Sequence, residues 1–173
     1  MRKQERADFL APLVKGSTRE ADDQRDSLVL VRPRSLLLDA KDKNKQELEA
    51  EVRAHKLLAN QSSLLEDDDD AKPFTPCTKE FTVRWRDQDN KDHRHVCDDW
   101  ETMAAFNRFE RQYGSQRAVE ILKQKYESQY FDAGLVMGFS THSRRNIEFG
   151  AKNQWLLVGL IRLDDTNQIG LFD

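Results

Sequence analysis

From Phe81 to Arg86 apolar and polar side chains alternate, with Phe81, Val83 and Trp85 set against Thr82, Arg84 and Arg86. Period two marks a strand buried on one face. Asp87–Asp92 reads as a polar turn, and His93–Cys97 returns as a second strand. Asp98 with Glu101 three residues later forms a capping box, which predicts a helix to about Tyr113. Trp100, Met103, Phe106, Phe109 and Tyr113 give that helix a wide apolar arc. Gly114 stops it, and Ser115 starts a second helix to about Tyr126, with Val119, Leu122 and Tyr126 on one side. Leu135–Phe139 and Trp155–Leu163 are apolar on both faces, so both are expected in the middle of a sheet. The order hairpin, two helices, hairpin predicts an α+β fold. Its simplest closure is an antiparallel sheet of about four strands with the helices on one face.

The pattern before residue 73 is weaker. Residues 1–26 are charged and broken by Pro12 and Gly16. Leu28–Val31 and Leu36–Leu38 flank Pro33, which disfavours one continuous helix. Asn44 and Glu47 mark a helix start, with Leu48, Val52 and Ala59 as a thin apolar stripe to Ala59. Glu66 and Asp67–Asp70 form a self-repelling run ahead of Pro73. The expected division is therefore a mobile or partly helical arm and acidic linker over 1–72, an α+β domain over 73–165, and a tail over 166–173.

Charge narrows the function classes. The chain has 173 residues, a formal net charge of −3 and 34% charged side chains, above the ~25% of ordinary domains. Acidic and basic residues are split evenly along it, so no basic arm marks it for nucleic acid. No apolar run approaches the ~20 residues that span a bilayer, and no signal-peptide pattern follows the first residues, which points to a cytoplasmic protein without a membrane partner. Two cysteines do not make a disulfide framework. No glycine-rich phosphate loop is evident, and no cofactor is called for.

Three groups of residues carry candidate chemistry. Cys77, His93, His95 and Cys97 have zinc-ligand chemistry, but with Cys97 opposite Thr82 the hairpin would hold Cys77 about 15 Å away along the strand. The same pairing puts Arg84, Arg86, His93 and His95 on one polar, basic sheet face that could hold phosphates without reading sequence. The connection of about 15 residues from Ser140 to Gln154 is long for a hairpin. Its Arg144 and Arg145 are further candidate anion contacts, while His142 has hydroxyl neighbours but no evident acidic holder.

The most specific stretch is Gln168-Ile169-Gly170-Leu171-Phe172. It resembles the peptide by which bacterial replication and repair proteins dock on the DNA sliding clamp: Gln, an aliphatic residue, a small or polar residue, Leu, then Phe. Ile169 stands where Leu is commoner. The resemblance implies that Leu171 and Phe172 enter an apolar groove while Ile169 and the Gln168 amide bind beside them. It implies a non-catalytic accessory or inhibitory protein of bacterial or phage DNA metabolism, with the clamp as partner. The alternatives are a nucleic-acid-binding or nuclease-like protein using the Arg/His sheet face, or an assembly protein with a wrapping arm.

Overall fold

The computed structural model describes residues 3–62, 75–141 and 154–164. In chain order they form α1 (Lys3–Leu10), a short 3-10 turn (Ala11–Leu13), β1 (Val14–Lys15), α2 (Thr18–Gln24), β2 (Leu28–Val31), β3 (Ser35–Asp42) and α3 (Lys45–Ser62). Then come β4 (Lys79–Arg86), β5 (Asp92–Val96), α4 (Trp100–Tyr113), α5 (Ser115–Gln124), a π-helical turn (Lys125–Tyr130), β6 (Leu135–Thr141) and β7 (Trp155–Arg162). The fold is α+β, as expected, but built on two sheets: β1-β2-β6-β7 and β3-β4-β5. Contacts divide the chain into two units, residues 1–39 with 81–173, and residues 40–80.

This corrects the expected single sheet. The hairpins β4–β5 and β6–β7 do form, yet each joins a different sheet, and each is completed by strands from the region read as an arm. Val29 pairs with Phe139 and Val31 with Met137, more than a hundred residues away. Val29, Val31, Leu36 and Leu38 are buried. Four-residue apolar runs beside a proline carry no local sign of so distant a partner. β6 is central, as its two-sided apolarity predicts, whereas β7 ends its sheet among the described residues.

Paired residues share a sheet face, and alternate residues share it along each strand. One face of the four-stranded sheet therefore carries Val29, Val31, Leu135, Met137, Phe139, Leu157 and Leu160, all buried. This is the core of the larger unit. Phe139 lies 5.5 Å from the Trp85 ring and 4.9 Å from that of His95. Phe81 meets Phe106 of α4 edge to face at 5.4 Å. Ala118, Leu122 and Tyr126 bury the inner stripe of α5 and the turn after it. The helix boundary at Gly114 is real: φ is +81°, a conformation open to glycine, and its N–H donates to Glu110 O at 2.9 Å.

In the 40–80 unit, α3 starts with a reciprocal capping box. Glu47 N donates to Asn44 Oδ1 at 3.0 Å, and Asn44 N donates to Glu47 Oε2 at 2.6 Å. Lys43 reaches Glu51 at 2.5 Å, Lys79 reaches Asp42 at 2.6 Å, and Lys43 N donates to Thr78 O. Cys77 is buried and forms no disulfide.

Candidate functional site

The β4–β5 hairpin carries four of the residues singled out from the sequence. Its turn is set by Asp87: the backbone N–H of Asp87 donates to Lys91 O, its Oδ1 accepts from Lys91 N at 2.8 Å, and Asn90 takes a left-handed φ of +63°. That five-residue turn pairs Thr82 with Val96, Val83 with His95 and Trp85 with His93. Cys97 N bonds to Phe81 O, so Cys97 is opposite Phe81 and not Thr82. A shift of one residue moves every side chain of β5 to the other face. His93 and His95 therefore lie with Trp85, and the expected Arg/His face does not exist.

The two histidines serve the interior. Trp85 donates its indole N–H to His95 Nδ1 at 3.0 Å, which leaves the His95 hydrogen on Nε2 in the neutral ring. His93 stacks on Trp85 at 4.3 Å and bonds through Nε2 to Asp87 Oδ2 at 2.7 Å. Burial by itself would raise the Asp87 pKa. The hydrogen bonds from His93 and the Lys91 and Asp89 N–H groups, with the charge of His93, outweigh it and hold the carboxyl below its ordinary range. An Asp–His pair can serve as an oriented base, but no hydroxyl or thiol is bonded to His93 among the described residues.

Arg84, Arg86 and Arg94 occupy the exposed face, together with Asp92. Arg84 grips Asp39 of β3 with Nε at 2.6 Å and a second nitrogen at 3.1 Å; Arg86 grips Asp92 at 2.8 and 3.1 Å. The Arg84 hydrogen bond holds the Asp39 carboxyl below its usual range, against the opposing effect of burial. The Arg86 hydrogen bond does the same for Asp92. Three guanidinium groups thus face two carboxylates, leaving an excess of about one charge rather than a basic patch. The sequence does not reveal Asp39 as the partner of Arg84, because fork-to-carboxylate pairing across strands depends on register.

Of the suggested metal ligands, Cys77 and Cys97 are buried thiols, and each histidine already has a ring nitrogen engaged. Among the described residues, no group of three or more His, Cys, Asp or Glu side chains is arranged to hold a metal ion. Burial pushes the Cys97 thiol up to about 12, which makes it a poor nucleophile. Arg144, Arg145 and His142 lie outside the described residues, as do Gln168, Ile169, Leu171 and Phe172.

No local pattern of residues points to the polar chain beside β7. The helix α4 is capped by Asp99, one residue later than expected, and Asp99 Oδ1 accepts from Glu101 N at 3.1 Å. Its Oδ2 takes the hydroxyl hydrogen of Thr102 at 2.7 Å, so Tyr126 OH must donate to Thr102 Oγ1 at 2.8 Å and can accept from Lys125 Nζ at 3.3 Å. Burial raises the Tyr126 pKa, keeping it a neutral link in the relay. An open cavity of about 480 Å³ adjoins this end, bounded by Asp99, Glu101, Tyr130, Asp164 and the β7 backbone from Val158 to Arg162. Asp99 is committed to its cap, and Arg162 pairs with Asp164. The cavity is polar, without a nucleophile held by a base.

A family model described as a domain of unknown function (DUF8757) matches residues 12–173, and the chain belongs to that family. No curated protein and no solved structure matches it.

Proposed function

We propose that this protein is a cytoplasmic, non-catalytic accessory or inhibitory factor of bacterial or phage DNA replication or repair, which docks on the sliding clamp through Gln168, Ile169, Leu171 and Phe172. The observation that carries this reading is the residue-by-residue match of Gln168-Ile169-Gly170-Leu171-Phe172 to the clamp-docking peptide. Two structural facts support it. The buried core residues described here extend to Leu163, ahead of the motif in the chain. Asp164 then turns the chain with a φ of +58°. The described residues also offer bound histidines and neutralised arginines rather than a poised catalytic group. Among them, no helix is long and apolar enough to cross a membrane.

Leu171 and Phe172 would contribute about 1.5–3 kcal/mol each on burial, offset by ordering of the peptide, which places affinity near the micromolar range. The test is a calorimetric titration of a bacterial clamp with the full chain and with a peptide of residues 164–173. Both should bind, and the Leu171→Ala/Phe172→Ala variant should lose binding. An absence of peptide binding at high micromolar concentration rejects the reading.

A second reading rests on Arg94, which stands beside the paired Arg84 and Arg86 on one rigid face. That face could contact phosphates of DNA held in the clamp. Binding that persists in low salt and is lost in Arg94→Ala would support it.

A further inference from the structure

The outer edge of β7 is occupied by the chain itself for only part of its length. Cys97 lies alongside Leu157 in parallel, and Asp98 N donates to Leu157 O at 2.9 Å. The chain then leaves β7, because Asp99 caps α4 and turns it into the helix. The cavity of about 480 Å³ opens at that point of departure. Asp99 and Glu101 bound it on one side, and the β7 backbone from Val158 to Arg162 bounds it on the other. Those five residues make about 14 Å of strand.

Main-chain direction along β7 decides what faces the cavity. Successive strand residues send their N–H and C=O groups to opposite edges. Gly159 pairs with Gly138 and Leu157 with Phe139, so Val158 is an extra residue that resets the alternation. Beyond it, Leu163 N donates toward the β6 side, to Gly134 O at 3.2 Å. Ile161 faces the same way. Leu160 therefore faces away from β6, toward the edge that Leu157 O already uses. Leu160 lines the cavity, and among the described residues no strand lies beyond β7 to receive its N–H and C=O. An edge with open main-chain groups is a template for another strand.

We propose that an extended segment of a partner protein, carrying lysine or arginine, adds to β7 in this lane. It pairs with the Leu160 main chain while its basic side chains meet the carboxylates of the cavity. In such additions main-chain bonds supply affinity and side-chain contacts supply specificity. This goes beyond the clamp reading and does not depend on it. Charge selects the occupant. Three carboxylates bound the cavity, those of Asp99, Glu101 and Asp164, against one guanidinium, that of Arg162. Lys125, whose ammonium lies over the Tyr130 ring at 4.9 Å, leaves the balance negative. A second copy added edge to edge would bring the same carboxylates against these, which opposes self-pairing. Trp100, between Asp99 and Glu101 in the chain, is 66% exposed. Tryptophan is among the commonest interface anchors, so this neighbour favours a protein over a small ion.

Two arms, both on the full chain, test the lane. In the first, amide hydrogen exchange is followed with no ligand added. The Leu160 N–H should exchange about a hundredfold faster than that of Ile161, which faces β6. A Leu160 amide as slow as that of Ile161 shows the edge already covered and overturns the proposal. In the second, a phage-displayed library of random peptides is panned on the chain at low salt. Enriched peptides should carry lysine or arginine, and a synthetic copy of one should slow Leu160 exchange about tenfold. Glu101→Lys, a change at an exposed side chain, should weaken that peptide about tenfold. Absence of enrichment, peptides without basic residues, or binding indifferent to Glu101→Lys overturns the proposal. So does a Leu160 amide that stays fast in the complex. A parent that sediments as a dimer, with Leu160 exchange slowing as protein concentration rises, assigns the lane to a second copy and overturns it as well.

Discussion

The two sheets finish their outward faces in opposite ways. On β3-β4-β5 the outward side chains include Arg94 and the bidentate pairs Arg84–Asp39 and Arg86–Asp92. On β1-β2-β6-β7 they are Leu28, Leu30, Leu156 and Ile161 around two glycines. Water solvates the first at little cost, because its charges remain exposed and Arg84 and Arg86 each have a carboxylate partner. The second leaves apolar area in water, at about 25 cal/mol per Å² that any cover would recover. The charged face, which first drew attention as a site, is thus electrostatically settled, and the plain apolar one is where the molecule has free energy left to gain.

The comparison breaks most sharply within β2, where neighbouring residues point to opposite sides. Val29→Asp places an unpaired carboxylate in the buried face and should cost roughly 4 kcal/mol or more. Leu28→Asp, one residue away, should stay within about 1 kcal/mol. Urea titrations of the two variants measure the difference. Similar losses would show that the outer face is already core.

Thr102→Val tests the polar chain at the end of β7. It keeps the shape but leaves the Tyr126 hydroxyl and Asp99 Oδ2 each short of a partner. A loss of about 1–3 kcal/mol in the same titration is expected, with Tyr126→Phe costing less because it removes the stranded hydroxyl as well. Equal effects would mean that Thr102 is not the link between them.

Acid should act through the charged sheet. Asp87, Asp39 and Asp92 all have folded-state pKa values below the ordinary 3.8. Each therefore favours the native state fully above about pH 4, and the contribution is lost as pH falls further through the folded value. Asp87→Asn should flatten the decline of melting temperature below about pH 4, relative to the parent. A decline of unchanged slope would remove Asp87 from the acid response.

The smallest effect should come from the arginines themselves. Arg84→Ala and Arg86→Ala should leave the melting temperature at neutral pH nearly unchanged, since exposed ion pairs contribute little. Raising salt should matter even less to those variants than to the parent. A large loss in either would show that the outward face of this sheet bears stability after all.

Much of the secondary structure was legible from short-range pattern. Alternation from Phe81 to Trp85 gave β4; Asn44 with Glu47 gave the start of α3; Gly114 separated α4 from α5. These signals are local because capping bonds and strand pleats are made by neighbours in the chain. The site was less legible. The sequence places His93 and His95 with the arginines because Asp87–Asp92 reads as a six-residue turn, one residue too long, and the Asp87 hydrogen bonds that set its length are visible only in three dimensions.

The sequence by itself determined the α+β class, the two hairpins, the helix boundary at Gly114 and the five-residue resemblance at 168–172. Tertiary structure alone decided that β2 completes the β6–β7 sheet and β3 the β4–β5 sheet. It also decided that the histidines turn inward and that Asp39 and Asp92 neutralise Arg84 and Arg86. The physical reason is the range of the interactions. A cap or an alternation is written within a few residues, whereas Val29 beside Phe139 and Arg84 on Asp39 depend on strand partners and register chosen by burial of the whole core.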